Sequence, residues 1–304
     1  MKRYLGFAKQ FLLVFTPVVA TSALASLPSQ AASLAFAEEN LNLTNFSENF
    51  SLIDRQNQAN IDASPFSEDA VVIAQNIGVQ TNFIPNPPEA STSVDLSFVR
   101  GLGSNYLGTA DTLGKIVSNF DVDAGESFSF DFTASLNLGT LIEDGLPTEN
   151  ANASGDISFL LFDTSDIPEA HLSDFVASLL SGNDNINRKP LEYFLLTGNV
   201  NTFGNNDFLK YTKSQNITFN QELKESDFGS NEETATASIG GSLKRSFENK
   251  TNLTLVATRQ SKVKVAVPEP STYLGSLLFS LLIAISIKAK RKAKRSKFVS
   301  LAKD

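Results

Sequence analysis

Hydrophobic and polar residues alternate strictly from Ser127 to Leu138, a run bracketed by Gly125 and Gly139. Phe128, Phe130, Phe132, Ala134, Leu136 and Leu138 hold one parity, and Ser127, Ser129, Asp131, Thr133, Ser135 and Asn137 hold the other. A period of two sustained this long predicts a β-strand with one face in a core and one in water. Val94, Leu96 and Phe98 carry the same alternation earlier in the chain. Shorter versions occupy residues 157–162, 192–196, 217–223, 234–239 and 253–257, and Val263, Val265 and Val267 close the series. Turn-forming residues separate these runs: Asp144-Gly145, residues 181–185, Gly204-Asn205-Asn206 and Gly240-Gly241.

One segment changes period. Asp166 is placed to cap a helix and Pro168 suits its first turn. Leu172, Phe175, Val176, Leu179 and Leu180 form an apolar stripe, and Gly182 marks the end. Many strands with a single helix predict a mainly β domain over residues 91–267, a jelly-roll-like β-sandwich whose helix covers an end or an open side. A domain of about 175 residues buries roughly 70% of its unfolded surface and needs no covalent staple. The 24 Phe against 5 Tyr and no Trp fit that reading, since Phe has no polar end to keep wet and belongs inside.

Residues 26–90 lack such a pattern. Between 38 and 90 Asn, Ser and Gln dominate, and only residues 70–74 form an apolar run. Asn42-Leu43-Thr44-Asn45-Phe46-Ser47 is loosely repeated in Asn49-Phe50-Ser51, giving three Asn-x-Ser/Thr sequons of the kind such composition produces by chance. Pro85-Asn86-Pro87-Pro88 closes the stretch as a stiff linker. The expectation is a polar, partly disordered arm.

The two ends are of a different kind. Lys2, Arg3 and Lys9 precede or flank an apolar stretch from Phe11 to Ala20, and Ala23-Leu24-Ala25 fits a small-x-small cleavage site, with Ala35-Phe36-Ala37 as a later one. Residues 1–25 therefore read as a secretory signal peptide used by the Sec export machinery. At the other end stand Val267-Pro268-Glu269-Pro270-Ser271, then residues 270–287 without a charge, then Lys288, Lys290, Arg291, Lys292, Lys294 and Arg295. A helix over 271–287 is just long enough to cross a hydrocarbon core. The cationic flank keeps residues 296–304 in the cytoplasm and the body outside. The two prolines around Glu269 force an extended stub outside the bilayer.

Residues 268–295 resemble the PEP-CTERM sorting domain of exported bacterial proteins, cyanobacterial ones included. That resemblance implies recognition by an exosortase, a membrane-embedded cysteine peptidase that removes the tail and releases or re-anchors the body. It also implies association with extracellular polysaccharide production.

Removing both ends changes the charge from −8 for the chain to −17 for residues 26–267, where 14 Lys and Arg face 31 Asp and Glu. Such a body is repelled by nucleic acid and by anionic membranes. The absence of cysteine removes disulfides, thiolate nucleophiles and Cys metal sites together.

His171 is the single histidine. A Ser-His-Asp arrangement would need it, yet Glu169, Ser173 and Asp174 fan around the predicted helix, so a surface histidine is the better account. The run from Asp121 to Glu126 looks like a calcium loop but has Gly125 where a further oxygen ligand belongs, and a turn into the long strand explains it better. Asp163 with Asp166, and Asn183-Asp184-Asn185, are weaker oxygen clusters. No cofactor is expected, with calcium as the one ion that such loops would take. Residues 101–108 are Gly-rich without P-loop or Rossmann spacing, which predicts a hairpin or loop.

Three functions compete. The first is a non-catalytic structural or interaction protein of the cell surface or extracellular matrix. The second is a carbohydrate-binding module of the polysaccharide layer, with Tyr106, Tyr193 and Tyr211 as the only aromatic platforms in the body. The third is a secreted hydrolase working with carboxylates alone.

Overall fold

The computed structural model describes residues 32–143, 149–181, 188–202, 204–229 and 231–267. They form two antiparallel sheets packed face to face, with one short helix. The strands in chain order are β1 (Ala32–Thr44), β2 (Phe50–Pro65), β3 (Val71–Ile77), β4 (Gln80–Pro85), β5 (Pro88–Leu102), β6 (Tyr106–Val122), β7 (Ser127–Ile142) and β8 (Asn150–Asp163). After helix α1 (Glu169–Ser181) come β9 (Glu192–Asn201), β10 (Phe208–Lys213), β11 (Ile217–Asp227), β12 (Glu232–Ser246) and β13 (Thr251–Val267). The first sheet runs β11-β12-β7-β1-β5-β3, with β4 also paired to β5, and the second runs β10-β9-β8-β13-β6-β2.

The expected strand β7 is as the alternation required. Phe128, Phe130, Phe132, Ala134, Leu136 and Leu138 are all buried between the sheets. Aromatic rings continue that core as a seam that repeatedly crosses between the layers. Phe83 packs on Phe50, Phe50 on Phe120, Phe120 on Phe128 and Phe130 on Phe159, with ring centroids 4.4–5.2 Å apart. Phe132 links Phe159 to Phe194, and Phe219 carries the seam on to Tyr211. Edge and tilted contacts of this kind add to the area term that dominates sheet-on-sheet packing.

Residues 38–90 are not an arm. They supply β1 to β4 and the start of β5, and β1 lies in the middle of the first sheet, hydrogen-bonded to β5 on one side and β7 on the other. Ala35, Ala37, Leu41 and Leu43 of β1 face the core, while Asn40 and Asn42 occupy the outer face. Small inward residues made that alternation faint. The proline-rich segment is the tight turn of the β4–β5 hairpin, where Pro85 is paired with Pro88 and the Asn86–Pro87 peptide is cis.

Two strands differ from their expected faces or limits. In β5, Val94 points inward but Phe98 does not, because two residues, Asp95 and Leu96, oppose the single Glu38 of β1. That bulge shifts the parity, so Ser97 and Val99 take over the buried positions. The runs at 253–257 and 263–267 are one strand, β13, paired throughout with β6. They looked separate because Arg259 and Ser261 fill the inward positions between them.

Helix α1 lies on the outer face of the second sheet, where Val176, Leu179 and Leu180 cover Val117, Leu160, Phe162 and Val256. Lys115 Nζ donates to the carbonyls of Leu179 (2.7 Å) and Leu180 (3.1 Å). This places a cation where the helix leaves carbonyls unpaired. Asp166 does not cap the helix, since its carboxylate is taken by Arg188.

The parity change has a measurable consequence. Phe130→Ala should cost about 3–5 kcal/mol in urea unfolding, as buried aromatic truncations do. Phe98→Ala, on the outer face beyond the bulge, should cost about 1 kcal/mol. Equal losses would contradict the assignment of faces.

Candidate functional site

The residues expected to form a sorting signal meet the fold at one point. Val267 is the last residue of β13 and pairs with Tyr106 at the start of β6. Pro268, Glu269, Pro270, Ser271, the six basic residues from Lys288 to Arg295, the span 271–287, and Ala23 and Ala25 lie outside the described residues. Among the described residues no helix is long and apolar enough to cross a membrane.

The other candidates do not converge. His171 Nδ1 lies 3.9 Å from Asp174 Oδ2 on the exposed side of α1, and Ser173 is also exposed. Asp163 and Asp166 are drawn to Arg188. Its guanidinium donates to both carboxylate oxygens of Asp166 at 2.7 Å and to the Asp163 carbonyl, and this holds the Asp166 carboxyl below its usual range. The run 121–126 is the end of β6 and the turn into β7, closed by the Glu126 amide on the Asp123 carbonyl at 3.2 Å. Gly125 there has φ of 85°, a left-handed conformation that suits a residue without Cβ. No group of three or more His, Cys, Asp or Glu side chains is placed to hold a metal among the described residues. The Gly-rich stretch 101–108 holds the loop by which the chain leaves β5 for β6 in the other sheet, so it is a loop and not a hairpin, and its Ser104 amide and hydroxyl donate to Asp69.

The tyrosines do not make a sugar platform together. Tyr106 is buried, its hydroxyl 2.8 Å from Ser33 Oγ, and burial pushes that phenol up to about 12. Tyr193 is exposed on the outer face of the second sheet, whereas Tyr211 turns inward against Phe219.

The side chains that sequence reasoning missed are Glu39 and Arg259. Glu39 stands among the inward residues of β1 and Arg259 among those of β13, both fully buried. Arg259 Nη1 lies 3.9 Å from Glu39 Oε2 and donates to Thr112 Oγ1 at 2.9 Å. Thr112 meets Ser261 at 2.6 Å, and Ser261 meets Ser97 at 3.1 Å. A polar belt thus crosses the apolar core. Two glycines make room for it. A Cβ on Gly155 would sit 2.5 Å from Glu39 Oε1, and one on Gly114 would sit 3.1 Å from Arg259 Nε.

Burial pushes the Glu39 carboxyl up to about 8 against the pull of Arg259, with Asp156 adding to the rise. The same burial lowers Arg259, which Glu39 opposes. The carboxyl lies fully inside the sandwich and faces Arg259. The signal that could have found the pair was in the pattern: a single charge at inward parity in each of two mainly apolar runs.

The outer face of the first sheet is the remaining broad feature. Ser135, Asn40, Ser93 and Gln80 stand in register across β7, β1, β5 and β4, and Thr133, Asn42, Ser91 and Asn82 form the next row. These are neutral hydroxyl and amide groups, exposed or half-buried. No known protein family and no curated protein matches the chain.

The buried acid yields a pH test. Its folded pKa of about 8 exceeds the ordinary 4.5, so the folded state holds the proton more tightly. The associated stability is fully present below about pH 4.5 and is lost as pH rises towards about 8, at roughly 1.4 kcal/mol per unit. Glu39→Gln should therefore gain stability relative to the parent between about pH 5 and about pH 8 in denaturant titrations. A stability difference that does not vary with pH would refute the raised value.

Proposed function

We propose that this chain is an exported protein of the cell surface or extracellular matrix, with a structural or interaction role and no catalysis. It is anchored through its C-terminus and then trimmed at the Pro-Glu-Pro signal by an exosortase. The observation that carries this reading is the order of Val267-Pro268-Glu269-Pro270-Ser271, an uncharged run to Ile287, and six cations in residues 288–295. Strand pairing reaches Val267 itself, so the signal begins where the sandwich stops. The acidic body supports a location away from nucleic acid and anionic lipid. The chain passes between the sheets at β1–β2, β2–β3, β5–β6, β6–β7, β7–β8, β10–β11 and β12–β13. Such frequent crossing supports the jelly-roll-like form of sandwich.

A second reading, polysaccharide binding, is favoured by the rows of Ser, Thr, Asn and Gln on the outer face of the first sheet. Hydroxyl and amide groups at strand spacing offer donors and acceptors to a glycan without an aromatic platform.

Mass spectrometry of the protein isolated from its cells should show a C-terminus near Pro270, with the basic tail gone. A chain that retains Asp304 outside the cell would refute processing. On an array of matrix polysaccharides, binding that disappears in the double variant Asn40→Ala, Asn42→Ala would establish the second reading. A blank array would remove it.

A further inference from the structure

Four strands form the lateral edges of the two sheets, and three of them carry charge. Strand β11 has Glu222, Lys224, Glu225 and Asp227, strand β2 has Asp54, Arg55 and Asp62, and β10 has Lys210 and Lys213. Charges on an edge discourage pairing with another chain. The fourth edge has none. Strand β3 and, beyond Gly78 and Val79, the collinear β4 line the open side of β5. From Ala70 to Pro88 there are 19 residues without a charge, the longest such run in the exported body.

This edge is also apolar on its outer face. Val71, Ile73 and Ile77 of β3 are 51%, 43% and 47% exposed, and Ile84 of β4 is 47% exposed. Gln75 is the one polar residue at the outward positions of β3. The inward side is fixed in place, since Asn76 Nδ2 donates to the carbonyls of Asn60 (3.1 Å) and Asp111 (3.2 Å). The strand is therefore held flat against the sandwich with its free edge outward, and no strand pairs with it there among the described residues.

We propose that β3 pairs antiparallel with β3 of a second copy of this chain, joining two sandwiches through one continuous sheet. Self-complementarity selects this occupant. Two bodies of −17 repel, so a second copy docks where the paired strands add no charge of their own, and 70–88 is such a stretch. An antiparallel pair of identical strands is also the arrangement that a two-fold axis produces. Centred on Ala74, it sets Val71 opposite Ile77 and Ile73 opposite Gln75, which closes the apolar outer face across the junction.

The chain has no cysteine, so one substitution supplies one thiol. In the full-length protein on its own cells, Gln75→Cys treated with a short bis-maleimide should give a covalent species of twice the chain mass. Gln221→Cys, exposed on β11, should stay monomeric under the same treatment. Ile73→Lys placed beside Gln75→Cys should abolish the dimer. No cross-linked dimer from Gln75→Cys would overturn the proposal, as would equal dimer from both cysteine positions. A product whose mass differs from twice the chain would also overturn it, by assigning the edge to another partner.

Discussion

Glu39 and Arg259 sit fully buried between two sheets whose facing surfaces are mainly apolar, and the sandwich has to close around them. A guanidinium in such a place needs acceptors, and it finds Thr112 at hydrogen-bond distance and Glu39 at 3.9 Å. Sliding one sheet over the other by a single residue pair would draw the two groups apart and leave each buried without its opposite charge, at a desolvation cost with nothing to offset it. The polar belt therefore fixes the relative register of the layers, while the phenylalanine seam supplies most of the burial. The strands it joins are central ones. Strand β1 lies between β7 and β5, and β13 lies between β8 and β6.

These two strands are also the first and last of the described residues, which ties the fold to the proposed route of the protein. The core cannot be completed until residues 251–267 reach the middle of the second sheet. Those residues end at Val267, next to the proline stub that the proposed membrane anchor would display. On this reading, the domain closes only when the segment bordering the anchor has been delivered to the outside. Folding and delivery of the sorting signal are then coupled by topology alone.

What could be read from residues follows from how uniform each strand face is. Strand β7 was legible because its inward side chains from Phe128 to Leu138 are apolar and the outward neighbours from Ser127 to Asn137 are polar. Strand β13 was split by Arg259 and Ser261, which occupy inward positions with polar chemistry. Strand β5 kept its alternation in letters while the bulge at Asp95 and Leu96 turned Phe98 outward. Strands β1 to β4 are faint in the sequence because Ala supplies much of the inward side of β1 and neutral amides crowd the outward side. Among proposed sites, Tyr106 shows the limit most plainly. A tyrosine beside a turn suggested a ligand platform, but its hydroxyl is satisfied by Ser33 inside the core. The buried pair was visible only as two interruptions of pattern, and its meaning required knowing that β1 and β13 face each other.

Hydrogen exchange followed by mass spectrometry tests most directly whether the layers are held through their central strands. The account predicts that β1 and β13 exchange together and last, at the rate of global unfolding, while the edge strands β2 and β10 open earlier. Exchange of β13 in step with those edge strands, well before β1, would contradict it.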